Sequence, residues 1–449
     1  MNNLSNFFKF SEKLISGTLP FSLLIITGIF LTIKGRFFQF TRFPKSISLV
    51  KKAFRSKSSS KELSSYQAAC TAISATVGTG NIAGVAGAVA IGGAGAVFWM
   101  WISAIAGMAV KFGEIALAVK FRESKAETFR GGPMYYIKNG LPKSYNFFGI
   151  LFAFFTIPAV ITGGNITQAN ASINSVSDNF YVKLAFGVLF SVFAFLIIGG
   201  GIRRIGAVTE KLVPIMSIIY VIMSMYIIIK NIDFLPIAFK MIFKGAFNPE
   251  AVTGGAVGSM FIAMMIGASR GVFSNEAGLG TSAMAHSAAF DADYKTQGLF
   301  GVFEVFIDTI VLCTLTALTI LCSGININYG EMASTELVEQ ALSSGFGAFA
   351  KPLLAFMMCV FGFSSIIGWA VYGDICTEYL FGKKFNLLFK IIYPITCIIG
   401  AVCNTETAWR SASFFNGIML IINLPSILLL SDNFLKDDKN ETKTGYLKK

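Results

Sequence analysis

The chain has 449 residues, of which 54% are hydrophobic and only 14% charged, with 37 lysines and arginines against 24 acids. Its mean hydropathy of +0.66 excludes an ordinary soluble globular protein, which needs more polar surface. Apolar stretches long enough to cross a bilayer recur along the whole length, so the composition describes a polytopic membrane protein and not a string of soluble domains.

In chain order, eleven spans are expected at approximately 15–33, 66–92, 96–119, 146–170, 181–200, 207–229, 252–285, 297–322, 350–372, 387–403 and 410–431. No charged side chain occurs from Leu63 to Val110. As one helix these 48 residues would reach about 72 Å, so they must fold as two spans with Gly92-Gly93-Ala94-Gly95 as the hairpin. The expected organisation is an accessory helix and basic loop (1–65), a first five-helix unit (66–230), a connection with a second five-helix unit (231–431), and a tail (432–449).

Orientation follows from the loops. Lys34 to Ser65 holds nine lysines and arginines against the single acid Glu62, Lys120 to Lys143 six, Arg203 to Lys211 three and Lys436 to Lys449 five. All these loops share one side of an eleven-span chain, and cytoplasmic loops are the positive ones. The N-terminus is therefore expected outside and the C-terminus in the cytoplasm of a multi-pass plasma (inner) membrane protein. The +13 net charge is a topology signal, not a footprint of nucleic-acid binding. The first span lacks a small-residue cleavage site and its dense positive charge follows it, which points to a retained helix, not a signal peptide. Seven cysteines lie scattered without a CxxC pair and His286 is the sole histidine, so neither a disulfide framework nor metal catalysis is expected.

The segment VGTGNIAGVAGAVAIGGAG, Val77 to Gly95, places seven glycines where a bilayer span calls for a helix, although each costs ~1 kcal/mol relative to alanine. Gly78-x-Gly80-x-x-x-Gly84 is not a dinucleotide fingerprint, because no strand precedes it and positions 98–101 read Phe-Trp-Met-Trp where an acid is required. Small-xxx-small packing accounts for Gly84 onward but not for the polar, flexible Val-Gly-Thr-Gly-Asn run. A helix broken at mid-depth does, since unwound backbone is tolerated in a membrane where it lines a cavity. A second interruption is expected at Met265-Ile-Gly-Ala-Ser-Arg-Gly271 of the seventh span. Spans two to six and seven to eleven then form two units that each open with a broken helix. Five is odd, so the units insert with opposite orientation, as an inverted repeat.

Four blocks carry a resemblance: SATVGTGNIAGVAGAVAIGGAGAVFWMWISAIAGMAVKFGE (74–114), RGGPMYY (130–136), RGVFSNEAGLGTSAMAHSAA (270–289) and FGFSSIIGWAVYGD (361–374). They resemble the alanine or glycine:cation symporter family, the sodium:alanine symporters, over about Tyr66 to Leu430. The resemblance implies an all-α LeuT-type 5+5 inverted repeat with one extra N-terminal helix. It further implies a secondary active symporter for alanine or glycine, with sodium as coupling ion and no organic cofactor. Its partners are then the small amino acid and the lipid bilayer, with no nucleic acid, and it is expected to work as a monomer.

Roles follow from both arguments. Asn81 opens the second half of the first broken helix, whose amides and dipole suit a substrate carboxylate, and Thr79 and Gly80 supply backbone beside it. Ile266 and Gly267 are expected to offer carbonyls to the ammonium and to wall the side-chain pocket. Asn165 and Gln168 share a helix face at i, i+3. Asn165 is open between a substrate contact and an interhelical hydrogen bond, whereas the resemblance puts the helix of Gln168 against the pocket. Trp369 either caps the pocket or packs. The resemblance also implies a sodium site formed by Ser74, Val77, Phe361, Ser364 and Ser365. Adjacent serines alternatively bond back to their own helix.

Lys111, Glu114, Arg270, Glu276, Glu304 and Asp308 sit inside expected spans, where an ionisable group is costly and is either paired or functional. Arg270, Glu276 and Asp308 are the candidate gate or coupling charges. Glu304 and Asp308, at i, i+4, repel unless one is protonated or a cation lies near. Asp308 then carries a coupling proton or pairs with Arg270 or Lys111. Lys111 and Glu114 are expected to snorkel near the cytoplasmic end, with His286 packed. No nucleophile–base pair or metal cluster accompanies the breaks, so an enzyme is not expected. Proton-coupled uptake of the same substrates is the alternative within the transporter class, and a membrane receptor using the same pocket ranks behind it, since a receptor normally appends a signalling domain.

Overall fold

The computed structural model describes residues 15, 17, 19–55, 63–125, 128–330 and 335–436. Among them the only sheet is a hairpin of β1 (Glu123–Lys125) and β2 (Thr128–Arg130), with Ser124 opposite Phe129. Helices α1 (Leu19–Lys34) and α2 (Phe43–Arg55) precede a broken helix, α3 (Ser65–Thr76) and α4 (Ala83–Gly92), which bends by 54° at its break. Then come α5 (Gly95–Lys120), α6 (Pro133–Gly140), α7 (Asn146–Ile161), α8 (Thr167–Asn174), α9 (Phe180–Ile198) and α10 (Gly201–Lys230). The second half runs through α11 (Leu235–Phe247), a second broken helix made of α12 (Met260–Asn275) and α13 (Thr281–Ser287), α14 (Tyr294–Val305) and α15 (Thr314–Cys322). It ends with α16 (Thr335–Phe346), α17 (Ala350–Phe381), α18 (Asn386–Val402) and α19 (Thr405–Leu429).

The ends of the first unit are written locally. Ser64 and Gln67 form a reciprocal capping box that starts α3. The α4–α5 hairpin falls at Gly93 (φ 72°), where the glycine cluster is expected to turn. Packing then sorts the helices. The α5 helix forms the buried centre, with α1, α12 and α14 along it, and α17 lies against α3, α7 and α8. Exposed Val188, Phe193, Ile215 and Ile222 on α9 and α10 give those helices a lipid-facing side.

Eight described helical stretches are long and apolar enough to cross a membrane, and the bent α3–α4 pair makes a ninth. By length and composition, nine of the expected eleven spans are recovered among the described residues; of the other two, α1 has 16 described residues and the seventh expected span is divided between α12 and α13.

The second interruption is also relocated. The α12 helix runs unbroken through 265–271, and the chain unwinds after Asn275, where Glu276 (φ 55°), Gly278 (φ 89°) and Gly280 (φ 75°) adopt left-handed conformations. Gly267 is a contact point and not a hinge, because a Cβ there would lie 2.1 Å from the Ala96 carbonyl oxygen of α5. The basic segment after α1 is helical in part, as α2. Its remainder at 56–62 and most of the tail, 437–449, lie outside the described residues.

Candidate functional site

The first break is built on close approach. A Cβ on Gly78 would lie 2.3 Å from Ser365 Oγ and 2.8 Å from Gln168 Oε1, so this backbone meets two other helices only because no side chain intervenes. Thr79–Asn81 make a single 3-10 turn before α4 restarts. Side chains satisfy the amides that the break frees: Asn81 Oδ1 accepts from Gly78 N at 2.9 Å, and Gln168 Oε1 accepts from Thr79 N at 3.0 Å and Thr79 Oγ1 at 2.8 Å. Gln168 follows a π-helical turn, Thr162–Ile166, between α7 and α8, a distortion frequent at functional sites.

Oxygens converge on the α3 side of the break. Ser365 Oγ lies 3.1 Å from Ser74 O and 3.5 Å from Val77 O. Ser364 Oγ lies 3.4 Å and 3.5 Å from the same carbonyls and 2.8 Å from Phe361 O of its own helix. All five residues expected around sodium thus meet, and all five are wholly buried. Carbonyl and hydroxyl oxygens are hard donors without net charge, a set that fits a hard monovalent cation. The shortest bond of Ser364 is nevertheless the one back to its own helix.

On the opposite side Asn81 meets protein. Its Nδ2 donates to Asp308 Oδ1 at 2.7 Å, while Asp308 Oδ2 accepts from Ser274 Oγ and Thr309 Oγ1, each at 2.8 Å. Thr316 Oγ1 donates to Asn81 O at 2.7 Å. Asn81 therefore ties the first break to α12 and to the π-helical segment Phe306–Cys313 that carries Asp308. Neither Arg270 nor Lys111 pairs with Asp308, because neutral donors already surround it.

The other in-span charges also separate. Lys111 does not snorkel: it is fully buried, 3.2 Å from Glu304 Oε1, and donates to Ser282 Oγ at 2.8 Å. Ser282 in turn donates to Glu304 at 2.7 Å, and His286 bridges Glu304 (3.2 Å) and Gln297 (2.7 Å). Glu114 turns elsewhere, accepting from Gly280 N at 2.9 Å and Asn423 Nδ2 at 2.7 Å. Glu276 accepts from Thr281 Oγ1 at the start of α13, and Arg270 lies over the Trp409 ring, 4.7 Å from its centroid. Arg270, Glu276 and Asp308 thus occupy three separate environments.

Four further expected residues lie away from an open pocket. Ile266 and Gly267 belong to the unbroken α12 and pack on Gly92 and Ala96, so they offer no freed carbonyls. Trp369 is buried against Gly164 and edge-on to Tyr372 at 5.5 Å. Asn165 donates across to Tyr393 O at 2.7 Å, an interhelical bond.

Two groups escaped sequence reasoning. Phe273 faces Gly80, whose Cβ position is 3.4 Å from Phe273 Cδ1, and packs against Trp409 with tilted rings whose centroids are 4.7 Å apart. On the side of the Lys/Arg-rich loops, Arg130 meets Glu378 at 2.9 Å and Asp374 at 3.7 Å, and Lys390 meets Asp374 at 3.7 Å. Arg130 and Asp374 stand at the ends of two quoted blocks, RGGPMYY and FGFSSIIGWAVYGD, and that placement was the available signal.

A buried helical bundle with two discontinuous helices, and neutral oxygens gathered at one break, defines a LeuT-type secondary transporter. The fold is that of the solved structure of MhsT in complex with L-phenylalanine, at a TM-score of 0.56 and 14% identity, covering 82% of this chain and 89% of that one. The sequence profile of the sodium:alanine symporter family matches residues 1–446, and the chain belongs to that family. The sodium/alanine symporter AgcS of Methanococcus maripaludis is 38% identical over 426 residues, 93% of this chain and 92% of its own. The amino-acid carrier protein AlsT of Bacillus subtilis is 36% identical over 430 residues, 95% and 90% of the two chains. The protein is thus a multi-pass membrane symporter of a sodium-coupled family, and not an enzyme.

Proposed function

We propose that this symporter imports a small neutral amino acid, alanine or glycine, together with sodium by alternating access. The observation that carries the reading is the meeting of Ser74 O, Val77 O, Phe361 O, Ser364 Oγ and Ser365 Oγ at one break. A cation there sits beside the backbone of Thr79 and Gly80, with Gln168 and Phe273 as the nearest walls. So close a wall at Gly80 favours a substrate with little or no side chain, and the similar AgcS is named for alanine. The loop charges support an external N-terminus and a cytoplasmic C-terminus, so the Arg130–Glu378–Asp374–Lys390 cluster seals the cytoplasmic side.

The energetics are sufficient. A membrane potential supplies ~2.3 kcal/mol per charge per 100 mV, and a tenfold sodium gradient adds ~1.4 kcal/mol. One sodium per substrate thereby sustains roughly several-hundred-fold accumulation. The test is uptake of labelled alanine by the purified chain in liposomes, with and without an inward sodium gradient. Uptake is expected to follow sodium; uptake that follows a proton gradient and ignores sodium overturns the reading. That outcome would favour proton coupling through Asp308, whose carboxylate bonds to Asn81 at the break.

A further inference from the structure

The chain turns sharply where it leaves α1. Arg36 (φ 55°) and Phe37 (φ 57°) both adopt the left-handed conformation, which non-glycine residues rarely take. Two contacts hold the turn: the Phe38 ring lies 4.5 Å from that of Phe112 on α5, and Gln39 Nε2 donates to Thr32 Oγ1 at 2.7 Å. The turn keeps α2 from prolonging α1 and sets it against α14 and α3. Ring centroids of Phe43 and Phe306 are 4.7 Å apart, and those of Phe54 and Tyr66 5.8 Å, so α2 reaches the start of the first broken helix.

Helical periodicity sorts the 13 residues of α2 into three faces. Phe43, Ser46, Leu49, Val50 and Ala53 form the buried or half-buried face toward the bundle. Lys45 and Lys52, at i, i+7, are exposed on a second face. Ile47, Lys51, Phe54 and Arg55, at i, i+4, i+7 and i+8, share the third, where Ile47 is 45% and Phe54 64% exposed. This face sets two cations beside two apolar side chains that the core leaves out. Among the described residues no acid pairs with Lys51 or Arg55. A topology signal requires only the number of cations in a loop, not their placement beside Ile47 and Phe54. A soluble acidic partner would match the cations and leave the apolar pair in water. A phospholipid satisfies both, with its phosphate at the cations and its chain along the apolar edge. On the orientation proposed above, α2 meets the cytoplasmic leaflet, whose surface is anionic.

We propose that this face of α2 is a binding site for one anionic phospholipid. Lys51 and Arg55 hold the headgroup phosphate, the guanidinium offering it a planar fork, while Ile47 and Phe54 take the upper part of an acyl chain. Bound there, the lipid braces α2 against Tyr66 at the start of α3. The proposal goes beyond the symport reading and does not depend on it, because lipid binding is measured with neither substrate nor sodium gradient.

The test reconstitutes the full-length chain in mixed phosphatidylcholine and phosphatidylglycerol vesicles, extracts it in neutral detergent and measures the lipid it retains by mass spectrometry. Wild type should retain phosphatidylglycerol above its share of the vesicles. Lys51→Gln with Arg55→Gln should lower that preference by roughly 5- to 25-fold, at about 5-fold per cation near the surface. Lys45→Gln with Lys52→Gln removes the same charge from another face and should leave the preference largely intact. Excess glycerol phosphate, the headgroup without its chains, should not displace the lipid. Retention by wild type in the vesicle ratio overturns the proposal, as does a preference that survives Lys51→Gln with Arg55→Gln. Equal losses from the two double variants also overturn it, because the attraction is then diffuse and not a site. Displacement by glycerol phosphate reduces the face to an anion site and overturns the lipid assignment. Cross-linked dimers that Lys51→Gln with Arg55→Gln abolishes, without lipid preference in wild type, would give the face to a second copy and overturn it too.

Discussion

The two broken helices solve one problem with different chemistry. Each has a freed amide met by a side-chain oxygen from another helix: Gln168 Oε1 at 3.0 Å from Thr79 N, and Glu114 Oε1 at 2.9 Å from Gly280 N. The first cap is a neutral amide and the second a carboxylate. No residue from 77 to 82 has a positive φ, whereas Glu276, Gly278 and Gly280 all do. Carbonyls and hydroxyls gather on the α3 side of the first break, and Lys111, Glu304 and His286 lock the helix that follows the second. The difference teaches which break suits which task. Neutral oxygens can pair with one another when an ion leaves, so the empty state costs little, whereas a buried charge that loses its partner is strongly destabilised. A site that empties on every cycle fits the first chemistry, and a bolt that holds helices in register fits the second.

The largest effect should come from breaking that bolt. Lys111→Met leaves Glu304 buried without its cation, which typically costs ~3–5 kcal/mol. The melting temperature of the purified protein should fall sharply, with partial recovery on adding Glu304→Gln. An unchanged melting temperature would mean that charge does not hold the second break. Next comes Gly267→Ala. Its Cβ would meet the Ala96 backbone oxygen at 2.1 Å, and backbone cannot swing aside, so a loss of ~1–3 kcal/mol or more follows. The surviving folded protein should keep its alanine-to-glycine uptake ratio. A changed ratio would return Gly267 to the substrate pocket.

The ion ligands at the first break should respond in transport and not in stability. Ser364→Ala with Ser365→Ala removes two of the five converging oxygens, so the sodium concentration needed to drive uptake should rise at least ~10-fold while the protein still folds. Wild-type sodium dependence in the double variant would move the ion elsewhere, with Asp308 the next candidate.

The sequence made the first break legible because glycine and polar residues interrupt a long uncharged run, and hydropathy sees that contrast directly. The second break stayed hidden for the converse reason. Met265 to Gly271 also mixes small and polar residues, but there Gly267 serves helix–helix approach and Arg270 a cavity wall. The true break, Glu276 to Gly280, falls inside the expected span 252–285, where Glu276 reads as an in-span charge and not as a break in the helix. The five residues assigned to the ion meet in space because a 3-10 turn and an unbroken α17 fix their relative positions. Charge pairing was less readable. Lys111 and Glu304 are far apart in the chain, and nothing local distinguishes a buried partner from a snorkelling one. Phe273 and Trp409 were equally silent, since an aromatic residue in a span carries no mark of what it faces.

The smallest effect tests how the first break is capped. Thr79 gives Gln168 two bonds, one from its backbone N–H and one from its hydroxyl. Thr79→Val deletes only the hydroxyl, leaves Gln168 with its backbone donor, and conserves shape, so the loss should be ~0.5–1.5 kcal/mol. Gln168→Ala instead strands a buried N–H, for which ~1–3 kcal/mol is expected. Melting temperatures of the two variants, measured side by side, should rank in that order, and the half-saturating alanine concentration of Thr79→Val should rise by roughly 10-fold at most. If uptake by Thr79→Val vanished while its melting temperature stayed near wild type, the hydroxyl would have to bind substrate directly, and Gln168 would be its orienting partner instead of the cap of the break.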